Sequence, residues 1–129
     1  MGIFNSIFGK TDKAQEKSNV NWIPLTSLDQ LSEIKAQSNA ETVLIFKHST
    51  RCGISSMVIK RFEKLFDESM QHVKVYYLDL LNYREISNEV GYNFQVMHQS
   101  PQLLIIRNET TVFHASHYDI TAVNLQQYI

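Results

Sequence analysis

Thr42-Val43-Leu44-Ile45-Phe46-Lys47-His48-Ser49-Thr50-Arg51-Cys52-Gly53-Ile54-Ser55 carries the strongest structural signal in the chain. Its opening is a continuous apolar run with β-branched residues, the pattern of a strand covered on both faces. Polar punctuation follows from Lys47 to Gly53. Beyond it a helix is predicted from about residue 54 to residue 69. Val58, Phe62, Leu65 and Phe66 form its inward stripe, and Lys60, Arg61, Glu63 and Lys64 its outer face.

Residues 73–79 read as a second strand. A strand, a helix and another strand require a crossover, hence a parallel pair. Residues 83–90 make a shorter helix, with Gly91 placed to end it. Residues 102–107 and 110–114 flank Asn108-Glu109, a tight hairpin. Residues 121–129 are predicted helical, with Val123, Leu125 and Tyr128 facing the sheet. Upstream, Thr26 or Ser27 caps a helix carrying Leu28, Leu31 and Ile34, closed by Ser38-Asn39. The order α-β-α-β-α-β-β-α predicts an α/β, thioredoxin-like fold over residues 21–129: a mixed four-stranded sheet flanked by helices. Residues 1–20 read as a separate arm and linker. Ile3, Phe4, Ile7 and Phe8 fall at helical spacing and a polar stretch follows, too short and too weakly apolar for a secretory segment. Gly2 with Ser6 formally matches an N-myristoylation pattern, a cheap match. A short apolar helix that docks on its own domain or on a partner is the preferred reading.

Composition narrows the classes. The chain has 129 residues, 43% hydrophobic and 19% charged, enough for one domain with a core. Its 12 basic and 13 acidic residues nearly cancel, so nucleic acid is not an expected partner. No apolar run approaches the roughly 20 residues that cross a bilayer. A single cysteine excludes an internal disulfide and argues against a thiolate metal cage within one chain. Five histidines do not signal a metal either. The expectation is a reduced, cytoplasmic domain with no resident cofactor or metal.

Chemistry is expected at Cys52. A thiol at a helix N-terminus meets free backbone N–H groups and the positive end of the macrodipole, which favour thiolate over thiol. Arg51 adds positive charge, as do Lys47 or His48. Ser55 lies one helical turn on, where its hydroxyl can donate to the sulfur. Because position 55 is serine, a mixed disulfide formed at Cys52 must wait for an outside thiol. Pro101, directly before an apolar strand, cannot donate to a ladder and marks that strand's first residue; the residues leave its peptide bond open between cis and trans.

Thr50-Arg51-Cys52-Gly53-Ile54-Ser55, Ser100-Pro101-Gln102 and residues 115–121 together resemble the monothiol bacilliredoxins, thioredoxin-like proteins that take bacillithiol off protein mixed disulfides. The resemblance covers roughly residues 22 to 129. It implies a nucleophile at Cys52, a cis-proline at Pro101 facing it with Ser100 before it, bacillithiol as co-substrate and bacillithiolated proteins as clients. Bacillithiol carries malate carboxylates, a glucosamine and a cysteinyl amine. Its anionic end is expected at the start of the last helix, around Ser116, His117 and Thr121, with Lys47, Arg51 and His98 as further candidates. In one respect the chain departs from the family: Gly53 stands where proline is common.

Two other readings compete. Cys52-Gly53-Ile54-Ser55 differs at one position from the Cys-Gly-Phe-Ser of monothiol glutaredoxins, which hold a [2Fe–2S] cluster between two subunits. Ser116-His117 stands where those proteins carry paired glycines, which ranks cluster carriage second. A non-catalytic thioredoxin-like binding module, with the arm as its docking device, is the third.

Overall fold

The computed structural model describes residues 18–129. In chain order its elements are β1 (Asn21–Pro24), α1 (Asp29–Ser38), β2 (Val43–His48), α2 (Gly53–Glu63), β3 (Lys74–Asp79), α3 (Arg84–Phe94), β4 (Gln102–Arg107) and β5 (Thr110–Ser116). Short 3-10 helices at Glu68–Met70, His117–Ala122 and Leu125–Gln127 complete the described chain.

The apolar run of β2 is buried along its whole length because the strand is central in a five-stranded sheet of order β1-β3-β2-β4-β5. β1 and β2 run parallel to β3, β4 is antiparallel to β2, and β5 is antiparallel to β4. Alternation along β2 divides its side chains between two cores. Leu44 and Phe46 pack with Val58, Phe62 and Phe66 of the segment around α2. Val43 and Ile45 pack with Leu31 and Ile34 of α1 and with Ile86, Val90 and Phe94 of α3. Each such side chain contributes about 1.5–3 kcal/mol on burial, so a polar residue on this strand would weaken the fold. The next two positions are nevertheless Lys47, on the α3 face, and His48, on the α2 face.

The thioredoxin-like architecture expected from the sequence is present, with five strands rather than four. The additional strand is β1, which falls inside the predicted domain but in a stretch to which the sequence reading assigns no element. It has four residues, lies at a sheet edge and ends in Pro24, which an edge tolerates. Trp22 fastens it: its ring lies 5.9 Å from those of Phe46 and Phe62, and Nε1 donates to Glu63 Oε2 at 2.7 Å. Val20 is already buried in the α2-side core. Residues 1–17, and with them the predicted apolar arm, lie outside the described residues.

Three helix boundaries are corrected. α2 ends at Glu63 rather than near residue 69, because Asp67 accepts from Ser69 N at 2.9 Å and starts a 3-10 turn. α3 passes through Gly91 and ends at Gln95, whose left-handed φ of 56° serves as the cap. Gly91 answers a close approach instead: a Cβ there would stand 3.1 Å from the Val96 carbonyl oxygen. The extra turn carries Phe94 into the core. The predicted last helix is two 3-10 turns separated by Val123 and Asn124 in extended geometry. Thr121 Oγ1 turns back onto Tyr118 O at 2.7 Å, one of the local bonds that compete with α-helix there.

Candidate active site

β2 ends at His48, and a short loop carries the chain to α2. Cys52 N donates to Ser49 O at 3.1 Å, closing a turn, and Cys52 O accepts from Ser56 N at 3.1 Å, opening the helix. Cys52 is therefore the N-cap of α2, with extended φ and ψ of −107° and 120°. N–H groups of a helix's first turn have no carbonyl one turn back, and Cys52 stands beside them. The residue is half-buried, and its side chain makes no capping bond. Arg51 and Gly53, on either side, are exposed.

Ser55 is fully buried. Its Oγ accepts from Ser49 N at 3.1 Å and lies 2.7 Å from His48 Nδ1. Burial holds His48 below the usual histidine range, opposed by the Asp79 carboxylate, so its ring is neutral at pH 7. The Ser55 hydroxyl and His48 Nδ1 share one hydrogen bond, whose direction follows the imidazole tautomer. The expected bond from Ser55 to the sulfur is not among the hydrogen bonds of the described residues; Ser55 instead ties α2 to the end of β2. His48 also meets the Tyr77 ring edge-on at 5.7 Å and pairs in register with Asp79. Burial, then Asp79, pushes the Tyr77 hydroxyl up. Asp79 and Tyr77 escaped the sequence reading because only strand pairing brings them to His48.

Pro101 comes to the same end of the sheet. The β2–β4 ladder pairs Lys47 with Gln102, so Pro101 stands one position beyond, beside the end of β2. The Ser100–Pro101 bond is cis. Pro101 is buried, and its carbonyl accepts from His117 N at 3.0 Å. Ser116 caps the 3-10 helix His117–Ala122, and that helix packs against α2. Cys52, Ser55, Pro101, Ser116 and His117 thus belong to elements that gather at one end of the sheet. The donors expected around residues 116–121 are fewer than a full helix would offer: the element is a short 3-10 turn, and His117 N–H is already engaged. His117 has a φ of 56°, the left-handed region glycine enters freely.

On the opposite face Lys47 is fully buried. Its Nζ lies 3.2 Å from Ser87 O and 3.3 Å from His98 Nδ1. Burial lowers its ammonium from the usual lysine range to about 8. Its sequence signal is a lysine inside an otherwise apolar strand.

A thioredoxin-type sheet with one half-buried cysteine capping the helix after its central strand defines a class: thiol redox proteins that work with one sulfur per chain. The profile of the monothiol bacilliredoxin BrxC family matches residues 23–125. The chain belongs to that family. Among solved structures it is similar to a thioredoxin-fold protein described as a candidate oxidoreductase, with 28% identity over 83% of this chain and 92% of the other and a TM-score of 0.70. It also matches the thioredoxin of Malassezia sympodialis, with 22% identity over 86% and 88% of the two chains and a TM-score of 0.64. Thioredoxin O2 of Arabidopsis thaliana matches at 14% identity over 83% and 93%, with a TM-score of 0.65. The last two likenesses concern the fold alone. Among the described residues no helix is long and apolar enough to cross a membrane.

Proposed function

We propose that the protein is a cytoplasmic monothiol oxidoreductase that removes bacillithiol from protein mixed disulfides through Cys52. The observation that carries this reading is the position of the sulfur, half-buried at the cap of α2, while the hydroxyl at position 55 is committed to His48 and Ser49. Membership of the monothiol bacilliredoxin family supports the choice of bacillithiol.

The Cys52 thiolate attacks the bacillithiol sulfur of a client's mixed disulfide. The old S–S bond breaks, the client thiolate leaves and takes a proton, and Cys52 keeps bacillithiol through a new disulfide. A second bacillithiol thiolate attacks the bacillithiol sulfur of that adduct, yielding bacillithiol disulfide and free Cys52. Ser55 cannot resolve the adduct, so an external thiol is part of the cycle. Pro101, beside the end of β2, borders the place where the extended mixed disulfide lies. Arg51, Gly53, Ser100, Ser116 and His117 are the further residues proposed to touch substrate.

The test is to incubate the protein with a bacillithiolated client and follow both partners by intact mass. The expected result is release of client thiol with one bacillithiol gained at Cys52, and no transfer with Cys52→Ala. Absence of transfer overturns the reaction; equal transfer by Cys52→Ala overturns the nucleophile. A second bacillithiol consumed per turnover is expected, and a protein that resets itself without added thiol would contradict the single-sulfur cycle.

A further inference from the structure

A buried ammonium costs several kcal/mol unless an anion compensates it. Lys47 has no such anion among the described residues: Nζ reaches only the Ser87 carbonyl oxygen and His98 Nδ1. Two further buried polar atoms on this face lack partners, Ser87 Oγ and Gln102 Oε1. Ser87 and Gln102 are each 1% exposed. Gln102 is the cross-strand neighbour of Lys47 and shares its face of the sheet. Charge accumulates here too, since Lys47 and Arg84 both act on His98 to disfavour its protonated form.

Beside these groups lies an open cavity of about 400 Å³. Ser87 and His98 line it together with Gly91, Tyr92, Val96 and Met97, and none of its lining residues is acidic. Tyr92 and Met97 are 76% and 83% exposed, an apolar wall left open to solvent. The lysine ammonium is only a donor, so His98 Nδ1 must accept from it, which leaves the proton on Nε2. The exposed ring therefore keeps one N–H for a ligand, with a positive charge directly behind it. Cations and unpartnered polar atoms at one end of an apolar trough describe the binding place of a small organic acid.

We propose that this groove between α3 and the loop before Pro101 is a carboxylate-binding subsite, in which His98 contacts the acid and Lys47 and Arg84 supply charge from beside and behind it. Its identification with the malate end of bacillithiol rests on the proposed reaction. His98 is three residues from Pro101, at most about 10 Å of chain, so a thiol held beside the proline can extend its acid to the groove. The subsite lies on the face of the sheet away from α2, and is distinct from the donors around residues 116–121.

The probe is L-malate, titrated into the full chain and followed by amide and histidine-ring NMR. Saturable shifts are expected at His98, Ser87, Val96 and Met97, none with the uncharged malate diamide, and unchanged affinity in Lys60→Met on the far helix. His98→Gln, at an exposed position, and Lys47→Met are each expected to weaken binding at least tenfold. Absence of saturable shifts at these residues, or affinity unchanged in His98→Gln, overturns the subsite. Malate needs no thiol, so Cys52→Ala must bind it as the parent does. Binding without bacillithiol transfer would count against the reaction alone, and transfer without binding against the subsite alone.

Discussion

Ser55 Oγ lies 2.7 Å from His48 Nδ1 and accepts from Ser49 N, so the hydroxyl one turn beyond the cysteine faces the sheet and not the sulfur. Ser55→Ala removes a partner from two polar groups at once, each costing about 1–3 kcal/mol when stranded in a buried site. A fall in melting temperature of roughly 5–10 °C is expected by calorimetry. Transfer of bacillithiol to Cys52 should persist in the folded variant at permissive temperature. Its abolition there would move Ser55 from holding the helix to taking part in the chemistry.

His48 gives the fold an acid limit. In the unfolded chain the imidazole takes its proton near pH 6.5, whereas burial holds the native value lower. Below pH 6.5 the unfolded state binds more protons, so stability is full above that value and is lost as pH falls through the native one. His98 acts in the same direction through burial and its cationic neighbours. Urea midpoints should decline from pH 7 to pH 5. In His48→Gln, whose side-chain amide can still hydrogen-bond Ser55, the decline should be shallower; an unchanged slope would show that His48 does not set it.

Gly53 is the position where the chain departs from the common family pattern, and the geometry there suits proline. A Cβ at residue 53 meets nothing within 4 Å. Cys52 has the extended ψ of 120° that a residue before proline prefers, and the first helical position has no intrahelical use for its N–H. Gly53→Pro should raise stability by about 0.4–1 kcal/mol through the entropy of the unfolded chain. Thermal melts of the two proteins check this. A lower melting temperature would mean that the loop needs glycine's freedom.

Periodicity made the architecture legible wherever burial was complete. The run 42–46 and the stripe of Val58, Phe62 and Phe66 could be read directly, since a doubly covered strand and a one-sided helix leave different patterns. β1 was not legible: four residues ending in proline carry almost no period, and Trp22 is fixed by partners distant in sequence. The last residues misled for another reason. Their apolar spacing suits a helix, but Thr121 bonds back to Tyr118 O and the chain runs extended at Val123 and Asn124, leaving two 3-10 turns. At the site, Cys52 and Pro101 were visible because each breaks a local rule. Lys47 and His98 were legible as candidates for an acid, but Ser87 and Arg84 beside them were not, because that grouping depends on packing between α3 and the end of β2.

That grouping carries a stability penalty that can be measured. Native Lys47 gives up its proton at about 8, against about 10.4 in an unfolded chain. Between these values the unfolded state binds more protons, so stability rises with pH. Below pH 8 the buried charge opposes folding, by up to about 3 kcal/mol. Lys47→Met keeps length and apolar contact while removing the charge. It should therefore be more stable than the parent at pH 7, by about 1–2 kcal/mol after the loss of two hydrogen bonds is subtracted. The advantage should shrink as pH rises toward 10, where the parent is relieved of its charge. Denaturant midpoints of both proteins between pH 7 and 10 check the sign. A variant less stable at pH 7, with a gap constant in pH, would show that Lys47 is satisfied in place and that no ligand is needed to balance it. A variant that gains stability while losing malate identifies the lysine as a residue kept for binding at the expense of the fold.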